Sequence, residues 1–386
     1  MHAVSPFSLR LLLPVLLLLA GCADRERIDR LETLPEDRLV RSVLMASSRA
    51  PRGPEAALPE APETAALPGR TRSQELSFGR FDVVIPAAHV AGRMEMPTRG
   101  GRFNPERHFA LAASQMMDAP AFRATLAREL AARPRNQREA VIFVHGFNTS
   151  FMEGVYRVAQ LGHDLNLPGL VLHYSWPSLG APLAYAHDRD SALFARDGLE
   201  AMLRETLAAG APGVVLVGHS MGAHLVMETL RQIALQGDRR LLDRLSGVVL
   251  IAPDIDVDLF NAQAGRIGRL PQPFLIITSQ RDRILQLSAQ LTGQRARLGN
   301  VPSAAPLGDL AVTVVDVSAF STGSGHFTVG TSPALIQLLD QAGVIDAALS
   351  ADQAGRLPFL PATILTIRNA TQIILEPLTE TVLGGS

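Results

Sequence analysis

The pentapeptide Gly218-His219-Ser220-Met221-Gly222 sets one hydroxyl between residues that have no side chain at either end. The run Val214 to Val217 before it is apolar throughout and reads as a buried strand, and Ala223 to Leu230 after it reads as a helix. Gly-x-Ser-x-Gly at a strand-to-helix junction is a nucleophile pattern: the glycines relieve crowding in a sharp turn that leaves the serine oxygen exposed above a sheet. A serine hydroxyl is a poor nucleophile at neutral pH, so a base must take its proton, and imidazole titrates in the useful range. Ten histidines are available. The chain order serine, acid, histidine favours His326, which follows the apolar run Ala311 to Val317 in the turn Ser321-Thr322-Gly323-Ser324-Gly325-His326. Its glycines let such a loop reach back over the strand ends. His219 lies inside the pentapeptide and His224 one helical turn beyond it, so both read as packing residues. An acid would orient the imidazole and stabilise its charged form. Asp282, in Thr278-Ser279-Gln280-Arg281-Asp282, is favoured; Asp254, in Ala252-Pro253-Asp254-Ile255-Asp256, is the alternative, and each also suits a plain polar cap at a strand end. The backbone N–H of Met221, at a helix N-terminus, is a donor for a carbonyl oxygen that becomes an anion.

These residues need a frame, and the surrounding pattern supplies one. Apolar runs at Val141 to Val144, Leu170 to Tyr174, Val214 to Val217, Val248 to Ile251, Phe274 to Thr278 and Ala311 to Val317 read as strands. Helical segments at Phe151 to Leu165, Ser191 to Ala209 and Met221 to Leu235 lie between them. Short, continuously apolar strands separated by helices indicate a mostly parallel sheet buried on both faces, so the expected fold is a doubly wound α/β domain. Earlier strands are expected at Phe78 to Pro86 and His108 to Ala113, with a helix from Ala119 to Ala132 and a closing helix from Pro333 to Ala342.

Lys plus Arg number 36 against 37 Asp plus Glu, which leaves no basic excess to neutralise a phosphate backbone, so nucleic acid is not an expected partner. Hydrophobic residues make up 47% and charged residues 19%, the balance of a folded chain. After Arg10, Leu11 to Ala20 is apolar apart from Pro14, too short for the ~20 residues that span a bilayer and suited to a signal-peptide core. The segment ends in Leu19-Ala20-Gly21-Cys22 and so resembles the lipobox of bacterial lipoproteins. That resemblance implies cleavage before Cys22, lipidation of Cys22, and, with Ala23 next, an outer-membrane anchor facing the periplasm. Cys22 is the only cysteine, so no disulfide forms within the chain. The expected organisation is a signal peptide at 1–21, a lipid anchor and Pro/Ala-rich linker at 22–76, the α/β domain at 77–344, and a C-terminal extension of undecided role at 345–386. Within the extension, Leu357 to Leu375 reads as a helix or strand packed on the domain or as an interfacial membrane contact, while Arg368, Asn369 and Gln372 disfavour a spanning helix.

Taken together, these residues resemble the α/β-hydrolase superfamily of serine esterases and lipases from about Ser77 to Val344. More narrowly, Val144-His145-Gly146-Phe147-Asn148, Tyr174-Ser175-Trp176-Pro177-Ser178, Asp188-Arg189 and Ile251 to Asp256 resemble an uncharacterised bacterial esterase/lipase-like family. The His-Gly loop implies that the N–H of Phe147 is a second oxyanion donor, with Asn148 behind it and His145 structural. Trp176 suits either a pocket wall or a core anchor. The resemblance implies a serine ester hydrolase acting on a small-molecule or lipid ester, with acyl transfer by the same residues or a non-catalytic envelope-binding role as alternatives. No cofactor is expected, and with no His-Glu-x-x-His helix and no cysteine cluster no metal is expected either.

Overall fold

The computed structural model describes residues 27–376 apart from residue 32, residues 35–37, residues 58–61, residue 99, residue 168, residues 294–296, residue 322, residues 342–361 and residues 368–369. The expected signal peptide and the expected lipid attachment point, Cys22, lie outside the described residues. Among the described residues no helix is long and apolar enough to cross a membrane.

The apolar runs align side by side because strands buried on both faces can satisfy their backbone groups only in one another's company. The strands are β1 (Val40–Pro51), β2 (Pro68–Val84), β3 (Ala110–Met117), β4 (Ala140–Val144), β5 (Leu170–Ser175) and β6 (Val214–His219). They continue with β7 (Leu245–Ile251), β8 (Phe274–Thr278), β9 (Thr313–Asp316), β10 (Ala362–Ile367) and β11 (Ala370–Leu375). Together they form one sheet in the order β10-β11-β9-β8-β7-β6-β4-β5-β1-β2-β3. From β11 to β1 every neighbouring pair is parallel, and antiparallel pairs occur only at the two margins. β4 lies between β5 and β6, so the chain leaves it first to one side and then to the other. That reversal opens a crevice at the carboxyl ends of β4 and β6, where open α/β sheets carry their ligands.

Helices cover both faces. On one side lie α1 (Ala119–Ala131), α4 (Arg196–Ala208), α5 (Met221–Leu235) and α6 (Val257–Ile267), packed on alternate sheet residues including Ala140, Ile142 and Val144. α3 (Tyr185–Phe194) precedes α4 and supplies Ala192 to the same core. On the other side α2 (Phe151–Asp164) contributes Phe151, Val155 and Tyr156 to the core that includes Phe143. Two further helices, α7 (Arg283–Leu291) and α8 (Pro333–Gln341), close the end of the sheet beyond β8. Helix starts follow from local chemistry. Ser150 and Glu153 form a reciprocal cap at the start of α2, and Asp118 accepts from Ala121 N–H at 2.8 Å to start α1.

Two expectations need correction, and a third, left open between a packed element and a membrane contact, is decided by the structure. Residues 22–76 do not form a linker throughout: β1 and the first part of β2 lie in this stretch, and Val43 to Arg49 are all buried. The folded unit therefore begins well before Ser77. β1 is an interior strand, parallel to β5 and antiparallel to β2, and a strand buried on both faces carries no alternation to betray it. The 345–386 segment, for its part, contributes β10 and β11, and β11 extends the parallel sheet beside β9. Finally, the expected helix from Ser191 to Ala209 begins earlier and is interrupted at Ala195 between α3 and α4.

A buried cation pins the N-terminal strand to the rest. Arg49, 1% exposed, donates through Nε to Ser175 Oγ (2.9 Å), through Nη1 to the carbonyls of Ser178 (2.8 Å) and Gly69 (3.0 Å), and through Nη2 to the carbonyl of Thr149 (3.1 Å). It thus ties β1 to the loops that follow β4 and β5. Arg49→Met keeps the length but leaves those acceptors unsatisfied, and bonds to charged donors contribute more than neutral ones. Chemical denaturation is expected to show a loss of about 2 to 5 kcal/mol; a variant as stable as the parent would contradict this role.

Candidate active site

Ser220 sits between β6 and α5 with φ 53° and ψ −119°, a conformation that costs an L-residue on the order of 1–3 kcal/mol and persists only where its surroundings fix it. They do so on both sides of its Cα. Its N–H donates to the carbonyl of Ile251 at 2.9 Å, and its carbonyl accepts from the N–H groups of Ala223 (3.0 Å) and Asp254 (3.2 Å). The glycines of the pentapeptide are required by contact. A methyl group at Gly218 would lie 2.7 Å from Ala223 Cα, and one at Gly222 would lie 2.3 Å from the carbonyl oxygen of His145. The turn is as sharp as the sequence implies. The serine itself, however, is 2% exposed rather than open above the sheet, with Gly146 packed so closely that a methyl there would lie 3.0 Å from Ser220 Cβ.

The loops after β8 and β9 bring Asp282 and His326 together. His326 Nδ1 and Asp282 Oδ2 are 2.8 Å apart. The other carboxylate oxygen, Oδ1, accepts from the N–H groups of Ile284 (3.0 Å) and Leu285 (2.9 Å), so Asp282 also caps α7. One residue thereby fixes a helix start and a histidine ring. The two loops are clipped to each other: Arg283 N–H donates to the Ser324 carbonyl at 3.0 Å, Ser279 and Ser321 share a hydroxyl contact of 2.7 Å, and Gly325, at φ 71°, lies against the Arg281 carbonyl. The His326 ring packs on the His219 ring with 4.9 Å between centroids, which sets it beside the turn that carries Ser220. Within this loop, Thr322 is outside the described residues.

Asp254 is committed elsewhere. It forms a buried ion pair with Arg297 (Nε to Oδ1, 3.0 Å) and accepts from Tyr185 Oη and Ser288 Oγ, both at 2.8 Å. Of the two candidate acids, the one that meets His326 is Asp282. Asp254 acts from below, through its backbone bond to Ser220 and by holding Tyr185, whose ring meets Phe147 edge-on at 5.5 Å.

The candidate oxyanion donors come from two elements. Met221 is the first residue of α5, where no carbonyl within the helix can accept its N–H. Phe147 belongs to the loop after β4, which several buried groups hold. His145 stacks on Trp176 with centroids 4.9 Å apart, and Trp176 Nε1 donates to the His145 carbonyl at 2.7 Å. Trp176 is wholly buried and is a core anchor. Burial, with Arg49 and His173 nearby, holds the His145 ring well below the ordinary imidazole range, so it is a neutral packing group. The His219 ring is depressed in the same way, first by burial and then by His326. Asn148, at φ 56°, donates its N–H to Asp188 Oδ2 at 3.4 Å.

Asp188 and Arg49 are site-building residues that the sequence reading gave no role. Asp188, fully buried, accepts from Ser178 Oγ (2.5 Å) and from Leu179 N–H (2.9 Å) as well as from Asn148, and so joins the loops after β4 and β5. Its one signal is membership of the Asp188-Arg189 pair among the residues that carry the family resemblance.

A parallel sheet with a serine at the tight turn after one strand, and an Asp–His pair on the loops of two later strands, defines the α/β-hydrolase class. The family model described as alpha/beta hydrolase of unknown function (DUF900) matches residues 118–341, and the chain belongs to that family. It is a hydrolase of the α/β-hydrolase type. Among solved structures, a predicted CIB-like hydrolase from Thermoplasma acidophilum shares 18% identity over 54% of this chain and 87% of its own, with a TM-score of 0.33. Lipase B of Aspergillus fumigatus shares 16% identity over 60% of this chain and 57% of its own, with a TM-score of 0.36. A comparison with curated proteins gives no match.

The two aspartates separate experimentally. In Asp282→Asn the hydrogen-bonded Nδ1 proton of His326 is expected to lose its downfield proton resonance, and in Asp254→Asn to keep it. Asp254→Asn should instead lower stability by about 3 kcal/mol, because it leaves a buried guanidinium without its carboxylate. A downfield signal that disappears only in Asp254→Asn would reverse the assignment.

Proposed function

We propose that this protein is a membrane-anchored serine hydrolase that cleaves carboxylic esters through an acyl-enzyme intermediate. The observation that carries the reading is the convergence on one edge of the sheet of a strained Ser220 and an Asp282–His326 pair 2.8 Å long. Ser220 Oγ attacks the ester carbonyl carbon as the other ring nitrogen of His326, Nε2, takes the hydroxyl proton. Asp282 holds Nδ1–H, which fixes the ring's tautomer and direction and stabilises the imidazolium. The N–H groups of Met221 and Phe147 receive the oxyanion. Each such donor typically supplies ~2.7 to 4 kcal/mol of transition-state stabilisation. Collapse passes the His326 proton to the leaving alcohol and leaves the acyl group on Ser220. A water that gives its proton to His326 then releases the acid and restores the serine.

The membrane part of the reading rests on sequence. A short apolar core ends in Leu19-Ala20-Gly21-Cys22, and a diacylated and further acylated cysteine would anchor the chain stably, since each buried CH₂ contributes ~0.8 kcal/mol.

A fluorophosphonate probe tests the chemistry. It is expected to label the folded protein once, at Ser220, and to leave Ser220→Ala unlabelled; no labelling beside a reactive control hydrolase, or labelling that survives Ser220→Ala, would overturn the assignment. Turnover of a short-chain p-nitrophenyl ester should fall on the order of 10⁴-fold in Asp282→Asn. For the anchor, Cys22→Ser is expected to move the protein from the membrane fraction to the soluble fraction, and unchanged partitioning would refute lipidation at Cys22.

A further inference from the structure

Away from Ser220, the end of α2 and the loop after β2 bring together three side chains of metal-ligating type. One donor atom from each of His89, His163 and Asp164 lies within 4.8 Å of the others. His163 and Asp164 are adjacent at the last turn of α2, and His89 arrives from a loop 74 positions earlier in the chain. The rings of His89 and His163 have centroids 5.4 Å apart.

What surrounds these groups orients them. His89 Nδ1 meets Glu95 Oε2 at 2.8 Å, and Glu95 Oε1 is in turn held by the N–H of Val90 at 2.9 Å. Asp164 Oδ2 accepts from the N–H of Gly92 (2.7 Å) and from Gln160 Nε2 (2.5 Å). That leaves His89 Nε2 and Asp164 Oδ1 facing each other at 2.7 Å. His163 Nδ1 is buried and, among the described residues, has no hydrogen-bond partner. A His89 bridge between two carboxylates accounts for Glu95 and Asp164, but it gives His163 Nδ1 nothing to do.

We propose that His89, His163 and Asp164 form a binding site for a divalent transition-metal ion of the zinc class. Two imidazole nitrogens and one carboxylate oxygen are the donor set of such ions, which leave a fourth position for water. Glu95 behind His89 is the outer carboxylate that fixes a ligating imidazole's tautomer and raises its basicity. Zinc bonds of 2.0–2.2 Å in tetrahedral arrangement set ligand atoms about 3.4 Å apart, so the His89–Asp164 pair opens by less than about 1 Å and its shared proton leaves to solvent as the ion enters. An open cleft of about 630 Å³ lies beside the cluster, and its lining includes Glu95 and Gly92, which hold His89 and Asp164. The bound ion would fasten the loop after β2 to the end of α2.

Isothermal titration of the full-length protein in detergent with Zn²⁺ alone is the test. The expected result is one ion per chain, with a rise in the thermal midpoint on adding Zn²⁺. His163→Ala should abolish both the binding and the rise. A circular dichroism spectrum and a metal-free melt like the parent's are the check that this variant is folded. Glu95→Gln keeps all three donors and should weaken binding ~10- to 100-fold, the usual effect of losing an outer carboxylate. Absence of stoichiometric binding in the parent protein would overturn the proposal, as would binding of unchanged strength in both variants.

Discussion

Backbone contact between the first turn of α5 and the end of β4 is the constraint on which the rest of the site depends. Gly222 sits so near the carbonyl oxygens of Val144 and His145 that no side chain fits between them. That proximity brings the N–H groups at the start of α5 next to the His145-Gly146-Phe147 loop. It also presses Gly146 onto Ser220. The serine's left-handed backbone follows, since the chain must leave β6 and enter α5 within one residue. Such strain survives because the carbonyl of Ile251 holds the Ser220 N–H and the N–H of Asp254 holds the Ser220 carbonyl.

The parallel order of the sheet then places every loop of consequence on one edge. β4, β6, β8 and β9 run the same way, so the loops bearing Phe147, Ser220, Asp282 and His326 emerge together although they are scattered over 180 positions (147 to 326). Buried polar groups hold these loops: Arg49 and Asp188 join the loops after β4 and β5, and Asp282 joins a helix cap to the His326 loop. Buried networks of this kind rigidify when fully satisfied, which suits groups that must be held to a fraction of an ångström. On the proposed reading, the buried histidines 145 and 219 are neutral supports, and only His326 moves a proton.

Much of this was legible in the sequence, for stated physical reasons. Parallel strands buried on both faces give continuous apolar runs, so β4 to β9 stand out, and the pentapeptide at the end of β6 marks the tight turn. Local pattern does not separate Asp282 from Asp254, because both follow strands; the tertiary structure does, pairing Asp282 with His326 and Asp254 with Arg297. β1 is hard to read because its second half, Ala46-Ser47-Ser48-Arg49, is neither alternating nor strongly apolar, and the Pro-rich turn after it has the composition of a linker. Its partners are β5 and β2, and β5 lies more than a hundred positions away, so its burial is a tertiary fact. β11 was hidden likewise, since its place beside β9 is set by the sheet. The His89–His163–Asp164 cluster carries no short motif at all, as its members come from two elements far apart in sequence.

In the proposed reaction Ser220 Oγ is the nucleophile that carries the acyl group. Rapid-quench mass spectrometry of the protein mixed with a short-chain p-nitrophenyl ester tests it directly. The predicted result is a transient acyl adduct confined to the peptide containing Ser220, formed in a burst with p-nitrophenol and lost at the rate of turnover. Steady ester hydrolysis with no adduct at any time, or an adduct on another residue, would contradict it.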